Sequence, residues 1–171
     1  GLVYAELRFA PQYHTQQGLS QKQVVEAVLS GLQDGLKHAH QIKAQLILCA
    51  MNHCDPAQNH TENLETVYLV KKFLHQGVCA LDLAGYEERM PEYKDLFDLA
   101  HKLNIPCTTH SEFTVKDALT YNTTRIGHGY QTALIEELSN EVIRKKVTLE
   151  MCPDSSLSYE YGLTGDTTHP L

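Results

Sequence analysis

Ile105-Pro106-Cys107-Thr108-Thr109-His110-Ser111-Glu112 and Thr124-Arg125-Ile126-Gly127-His128-Gly129-Tyr130 decide how this chain is read. Each is a short run with apolar character that gives way to a histidine, which predicts strands over 105–109 and 125–127. Between them, 114–119 predicts a helix of barely two turns. Where parallel strands alternate with helices, residues just past the C-terminal ends of successive strands gather at one mouth of the sheet. The imidazoles of His110 and His128 and the carboxylate of Glu112 are therefore expected to meet in space.

The same alternation extends outward in both directions. Toward the start, 2–9 reads as a strand that places Glu6 and Arg8 on one face, and Pro11 stops it. Ser20 opens a helix with Gln23 in the capping-box position, striped by Val24, Val28, Leu32 and Leu36 with Val25 and Leu29 beside them. A second strand over 45–51 is apolar on both faces, as a buried parallel strand would be. A polar loop over 52–59 leads to a helix marked by Leu64, Val67, Tyr68 and Phe73, with Gly77 as its stop. The third strand covers 78–83. Pro91 then sits at the first turn of a helix carrying Tyr93, Leu96, Phe97, Ala100 and Leu103. Toward the end, Leu134, Ile135, Leu138 and Val142 stripe one more helix, and 147–151 is the sixth strand, stopped at Cys152-Pro153.

Strand and helix alternating through six strands predict an α/β fold with a parallel sheet covered by helices. No glycine-rich phosphate fingerprint follows any strand, which weighs against a dinucleotide-binding doubly wound sheet. A TIM-type (β/α) barrel fits better, although eight strands and roughly 250 residues are usual for it. With 171 residues the chain is expected to form a single, incomplete barrel domain over 1–171, about six of eight strand-helix units. Two open edges would leave apolar side chains wet at roughly 1.5 to 3 kcal/mol each. The expectation is a piece of a larger protein, or a barrel completed by missing segments or another chain. The competing fold is an open flavodoxin-like sheet with its site at a reversal of strand order.

Composition narrows the partners. The chain is 42% hydrophobic and 20% charged, with a net charge of -7 and no Lys/Arg run, which argues against nucleic acid or an anionic membrane surface as partner. No apolar run approaches a membrane span and no signal-peptide pattern opens the chain, so a soluble, cytoplasmic protein is expected. The five cysteines lack framework spacing. Cys49, Cys79, Cys107 and Cys152 read as small buried hydrophobes. Cys54 beside His53 has no second close ligand pair to make a metal site.

Leu81-Asp82-Leu83-Ala84-Gly85, Thr109-His110, Arg125-Ile126-Gly127-His128-Gly129 and Glu150-Met151-Cys152-Pro153, in that order, resemble the signature of the adenosine deaminase family. Tyr4-Ala5-Glu6-Leu7-Arg8-Phe9-Ala10-Pro11 and Met51-Asn52-His53 are similar to its earlier segments. The resemblance extends to His169-Pro170. It implies a (β/α) barrel that hydrolyses a purine nucleoside, turning adenosine into inosine and ammonia with a zinc-activated water.

Carried over motif by motif, the resemblance makes His110 a metal ligand and His128 the residue that orients or deprotonates the water. Gly85 becomes the glycine whose backbone holds the purine, and Asp82, grouped with it at the substrate site, supports the site from inside the barrel rather than acting on substrate, or else is a buried aspartate bonded to backbone or to a histidine. Glu112 departs from the family pattern His-x-Gly-Glu, standing two places after the histidine without the glycine. The interval from His110 to His128 is also several residues short. Glu112 is either the proton donor to the ring or a solvated loop acid.

The family's first-strand His-x-His pair and last-strand Asp-Asp pair are both expected to occur nowhere in these residues. Because a catalytic zinc site needs at least three protein ligands, the chain by itself is expected to be inactive. His14, His38, His40, His60, His75 and His101 read as solvated, whereas His53 lines the mouth or is solvated too. Tyr159 and Tyr161 are isolated aromatics placed to cover a substrate. The alternative function is a non-catalytic purine-binding or interaction protein derived from a deaminase barrel.

Overall fold

Apolar side chains on both faces make Leu46, Ile47, Leu48 and Ala50 the centre of a sheet, and all four are buried in the computed structural model, which describes residues 1–158. Tyr159 and Tyr161 lie outside the described residues. The chain divides into two compact units, Gly1–Cys107 and a second that begins at Thr108.

In the first unit, β1 (Tyr4–Phe9), β2 (Lys43–Met51) and β3 (Val78–Ala84) form a parallel sheet in the order β1-β2-β3. The helices are α1 (Gln21–Lys37), α2 (Pro56–Phe73) and α3 (Lys94–Lys102). Ser20 caps α1 as its sequence predicts: the hydroxyl accepts from the Gln23 N–H, and the Gln23 side chain accepts from the Ser20 N–H. Val24, Val25 and Leu29 are buried, together with Val67, Val70, Leu96 and Phe97 from α2 and α3.

Two readings of this unit change. The loop expected over 52–59 ends early, because the Asp55 carboxylate accepts from the Ala57 N–H and Pro56 starts α2 at its first turn. The buried face of α2 then includes Asn59, Asn63 and Thr66, while Tyr68 is exposed. Pro91 falls inside a 3-10 turn, Glu87–Tyr93, ahead of α3. A proline lacks the N–H that a helix interior requires.

In the second unit, β4 (His110–Ser111), β5 (Arg125–His128) and β6 (Thr148–Glu150) form another parallel sheet, in the order β4-β5-β6. Its helices are α4 (Val115–Thr120), α5 (Gln131–Leu134), α6 (Glu136–Lys145) and α7 (Pro153–Ser158). Ile126, Leu119, Tyr121, Tyr130, Leu138 and Val142 are its core.

The strand expected over 105–109 is displaced. Cys107 makes only a single bridge to Leu81, where the Leu81 N–H donates to the Pro106 carbonyl, and the ladder proper begins at His110. Pro106 has no N–H to extend a ladder. The single helix expected through Leu134 and Val142 is broken at Ile135, whose backbone is extended, so Leu134 and Ile135 face outward while Leu138 and Val142 remain inside.

Candidate active site

The ladder of the second unit pairs His110 with Gly127 and Ser111 with His128. The Gly127 N–H donates to the Thr109 carbonyl and the Gly129 N–H to that of Ser111, both at 2.8 Å. These bonds fix the register that brings the two imidazoles together, with ring centroids 5.6 Å apart. A Cβ on Gly127 would sit 3.5 Å from the His110 Cα, at ordinary van der Waals contact.

His128 has φ +65. Left-handed backbone is uncommon for a residue with a side chain and collects at functional sites. Gly129 follows with φ +74, and a Cβ on it would lie 2.6 Å from Leu149 Cδ2. The two consecutive left-handed residues turn the chain off β5 and direct the His128 ring toward Glu112. Glu112 is 4% exposed, with Oε1 2.9 Å from His128 Nδ1. Its carbonyl accepts from the Gln131 N–H at 3.1 Å, which ties the short loop after β4 to α5. The solvated-acid reading of Glu112 is thereby excluded: the carboxylate is inside and against an imidazole. Tyr130 stands edge-on to His128 at 5.9 Å, and its hydroxyl accepts from the Cys152 N–H. The sequence reading missed Tyr130, whose signal was its place two residues after the strand-end histidine.

At the C-terminal ends of the first unit's strands lie Asn52, His53 and Gly85. Gly85 is exposed with φ +133, a conformation open to glycine. His53 is exposed, its Nδ1 2.8 Å from the Tyr13 hydroxyl. Burial, followed by the nearby Cys54, Glu62 and Tyr86, raises the Tyr13 pKa, so the phenol keeps its proton. Asp82 lies lower in the sheet and is fully buried. Its Oδ2 is 3.1 Å from Arg8 Nη1 and accepts from the Cys49 thiol at 3.5 Å. Asp82 is thus held by Arg8 across the sheet, from the strand face that the Glu6/Arg8 spacing predicts.

Among the described residues no group of three or more His, Cys, Asp or Glu side chains is arranged to hold a metal ion. All five cysteines are thiols, and Cys49 and Cys107 are buried as expected, with Cys79, Cys152 and Cys54 half-buried. Burial, and next the Asp82 carboxylate, push the Cys107 thiol up to about 12. One expectation is corrected by the sequence itself: a His-x-His does occur, as His38-Ala39-His40. It follows the end of α1 with both imidazoles exposed, and so does not stand on a strand as the family's pair does. His60 is also less solvated than expected, with Nε2 3.4 Å from Asp95 Oδ2.

A family model described as Adenosine deaminase matches residues 1–171. The adenosine deaminase of Haemophilus ducreyi is 44% identical over 167 residues, covering 92% of this chain and 48% of that protein. The adenosine deaminase of Clostridium acetobutylicum is 40% identical over 165 residues, with coverage of 92% and 48%. The chain spans about half the length of the curated relatives it matches. Among solved structures, the apo N6-methyl-AMP deaminase from Arabidopsis thaliana superposes with a TM-score of 0.80 at 21% identity, over 98% of this chain and 51% of that one. An Arabidopsis ADAL structure complexed with IMP gives 0.75 at 22% identity, over 91% and 48%. These likenesses show the fold, part of a (β/α) barrel.

Proposed function

The chain belongs to the adenosine deaminase family, and on that premise we propose that it contributes the acid-base and purine-holding residues of a hydrolytic deaminase acting on adenosine. The observation that carries the reading is the buried Glu112 carboxylate 2.9 Å from His128 Nδ1, with the His110 ring beside it.

Deamination requires one proton to reach a purine ring nitrogen as a water oxygen bonds to C6. Another must leave that water, and ammonia then departs as the C6–N bond breaks. A carboxylic acid and an imidazole in contact meet both demands. Glu112 delivers its proton to the ring nitrogen, and His128 takes one from the water and hands it to the C6 amino group, which leaves as ammonia while the C6 hydroxyl returns its proton to Glu112. Positioned groups of this kind contribute roughly 10²- to 10⁴-fold in rate. The Gly85 backbone holds the purine, and Asp82 supports the sheet beneath it through Arg8.

By the family motif His110 would be a ligand of a zinc ion, which would lower the pKa of the attacking water. One histidine does not make a catalytic zinc site, which needs three protein ligands. The described residues alone do not fit the metal. Exposed Leu7 and an apolar hollow lined by Leu7, Val28, Leu32, Leu36 and Leu46 support the companion reading that further barrel segments or another chain cover this face. Among the described residues no helix is long and apolar enough to cross a membrane. The substrate proposed is a small molecule met in the cytoplasm.

The test is loss of adenosine ultraviolet absorbance with the full-length gene product and added zinc. Glu112→Gln and His128→Ala should each lower kcat by about 100-fold or more, measured at a temperature where circular dichroism shows the variants folded. Adenosine bound but never turned over by the unmutated protein would instead establish the non-catalytic purine-binding alternative.

A further inference from the structure

Asn52 is 2% exposed and follows β2 directly, beside the turn that carries Gly85. It grips that turn at three consecutive residues. The Asn52 backbone N–H donates to the Ala84 carbonyl at 2.9 Å. The side-chain Nδ2 donates to the Tyr86 carbonyl, also at 2.9 Å. Between these two bonds, Oδ1 is packed into the space that a Cβ on Gly85 would occupy, so the two would collide. Oδ1 is buried and makes no hydrogen bond among the described residues. An amide oxygen kept dry without a donor is uncommon and calls for an explanation. Its place against Gly85 supplies one: the oxygen fills the space left by the missing Cβ. A larger residue at position 85 has no room and no accessible backbone conformation.

We propose that Asn52 is a positioning residue for the purine: its carboxamide sets the conformation of Ala84-Gly85-Tyr86 and so aims the exposed Gly85 backbone at the ring. This rests on the reading of Gly85 given under the proposed function. Neighbouring His53 is exposed and engaged by Tyr13, which leaves Asn52 as the side chain in contact with the glycine from β2.

The test uses the full-length gene product and two readouts. Asn52→Ala should raise KM for adenosine about 10-fold while kcat stays within about 2-fold, the signature of lost ground-state binding. Equilibrium binding of purine riboside should weaken by the same factor, and this measurement does not depend on turnover. Asn52→Asp keeps the shape and Oδ1 but faces the Tyr86 carbonyl with a second acceptor. It should behave similarly and serves if the alanine variant does not fold.

The second readout is a double substitution. Gly85→Ala collides with Asn52 Oδ1 and also crowds the His53 backbone N at 3.1 Å and the Asn52 carbonyl carbon at 3.2 Å; Asn52→Ala/Gly85→Ala relieves the first of these, so the double variant should lose less than the sum of the two single losses. An unchanged KM and an unchanged purine riboside affinity in the Asn52 variants would overturn the proposal, as would strictly additive melting shifts. Failure of deamination with riboside binding still weakened by Asn52→Ala would overturn the catalytic reading and leave the positioning role standing.

Discussion

Replacing Arg8 by methionine tests whether Asp82 is a strut of the sheet or a substrate contact. Asp82 is fully buried, and Arg8 Nη1 stands 3.1 Å from its Oδ2 with the Arg8 side chain 28% exposed. Removing one partner of a buried ion pair costs roughly 3–5 kcal/mol, because the other charge stays in a low-dielectric interior. Solvent reaches part of Arg8 and screens the pair, which favours the lower end, about 3 kcal/mol. In urea unfolding followed by circular dichroism, a slope of roughly 2 kcal/mol per molar turns this into a midpoint about 1.5 M lower, with the slope unchanged. The double variant Arg8→Met/Asp82→Leu removes both charges and should lose about 1 kcal/mol or less, since apolar replacements of a buried pair are often neutral. The coupling between the two positions should then be about 2 kcal/mol or more. If Arg8→Met costs under about 0.5 kcal/mol, or if the two substitutions simply add, the pair does not hold the sheet. Asp82 would then have to be explained by substrate.

The Cys107 thiol, ordinarily near 9.0 and pushed up to about 12 by burial, should leave its mark on the pH dependence of stability. Above pH 9 the unfolded chain gives up this proton while the folded chain keeps it, so the contribution is whole below pH 9 and is lost as pH rises toward 12. Cys107→Ala should flatten that decline in base-titrated unfolding, and native Cys107 should resist iodoacetamide until urea is added. Gly129→Ala, at φ +74 with its new Cβ 2.6 Å from Leu149 Cδ2, should lose about 2 kcal/mol from left-handed strain and the shift forced on Leu149. A thermal midpoint within a degree of the parent would show that the turn after His128 tolerates a side chain.

Local chemistry was readable wherever the cause was local. Ser20 and Gln23 announce the start of α1 because a capping box involves only residues three apart, and the apolar run 46–50 announces a buried strand because nothing else could cover both of its faces. The pairing of His110 with His128 was legible too, since strand ends in a parallel sheet share one side and both histidines end an apolar run. The long helix drawn through Leu134 failed because periodicity cannot see a single extended residue such as Ile135. The strand drawn over 105–109 failed because hydrogen-bond partners, supplied by β3 and β5, decide where a ladder begins.

The sequence by itself determined the order of strands and helices, the family, and the identities of the residues that can carry protons, because these depend on pattern and motif along the chain. Only the tertiary structure decided what Glu112, Asp82 and Asn52 touch. A carboxylate two places from a histidine is either solvated or buried according to what packs around it. Here the left-handed backbone at His128 brings an imidazole to within 2.9 Å of Glu112. Arg8 and Asp82, 74 residues apart, meet through strand register, which no local pattern encodes.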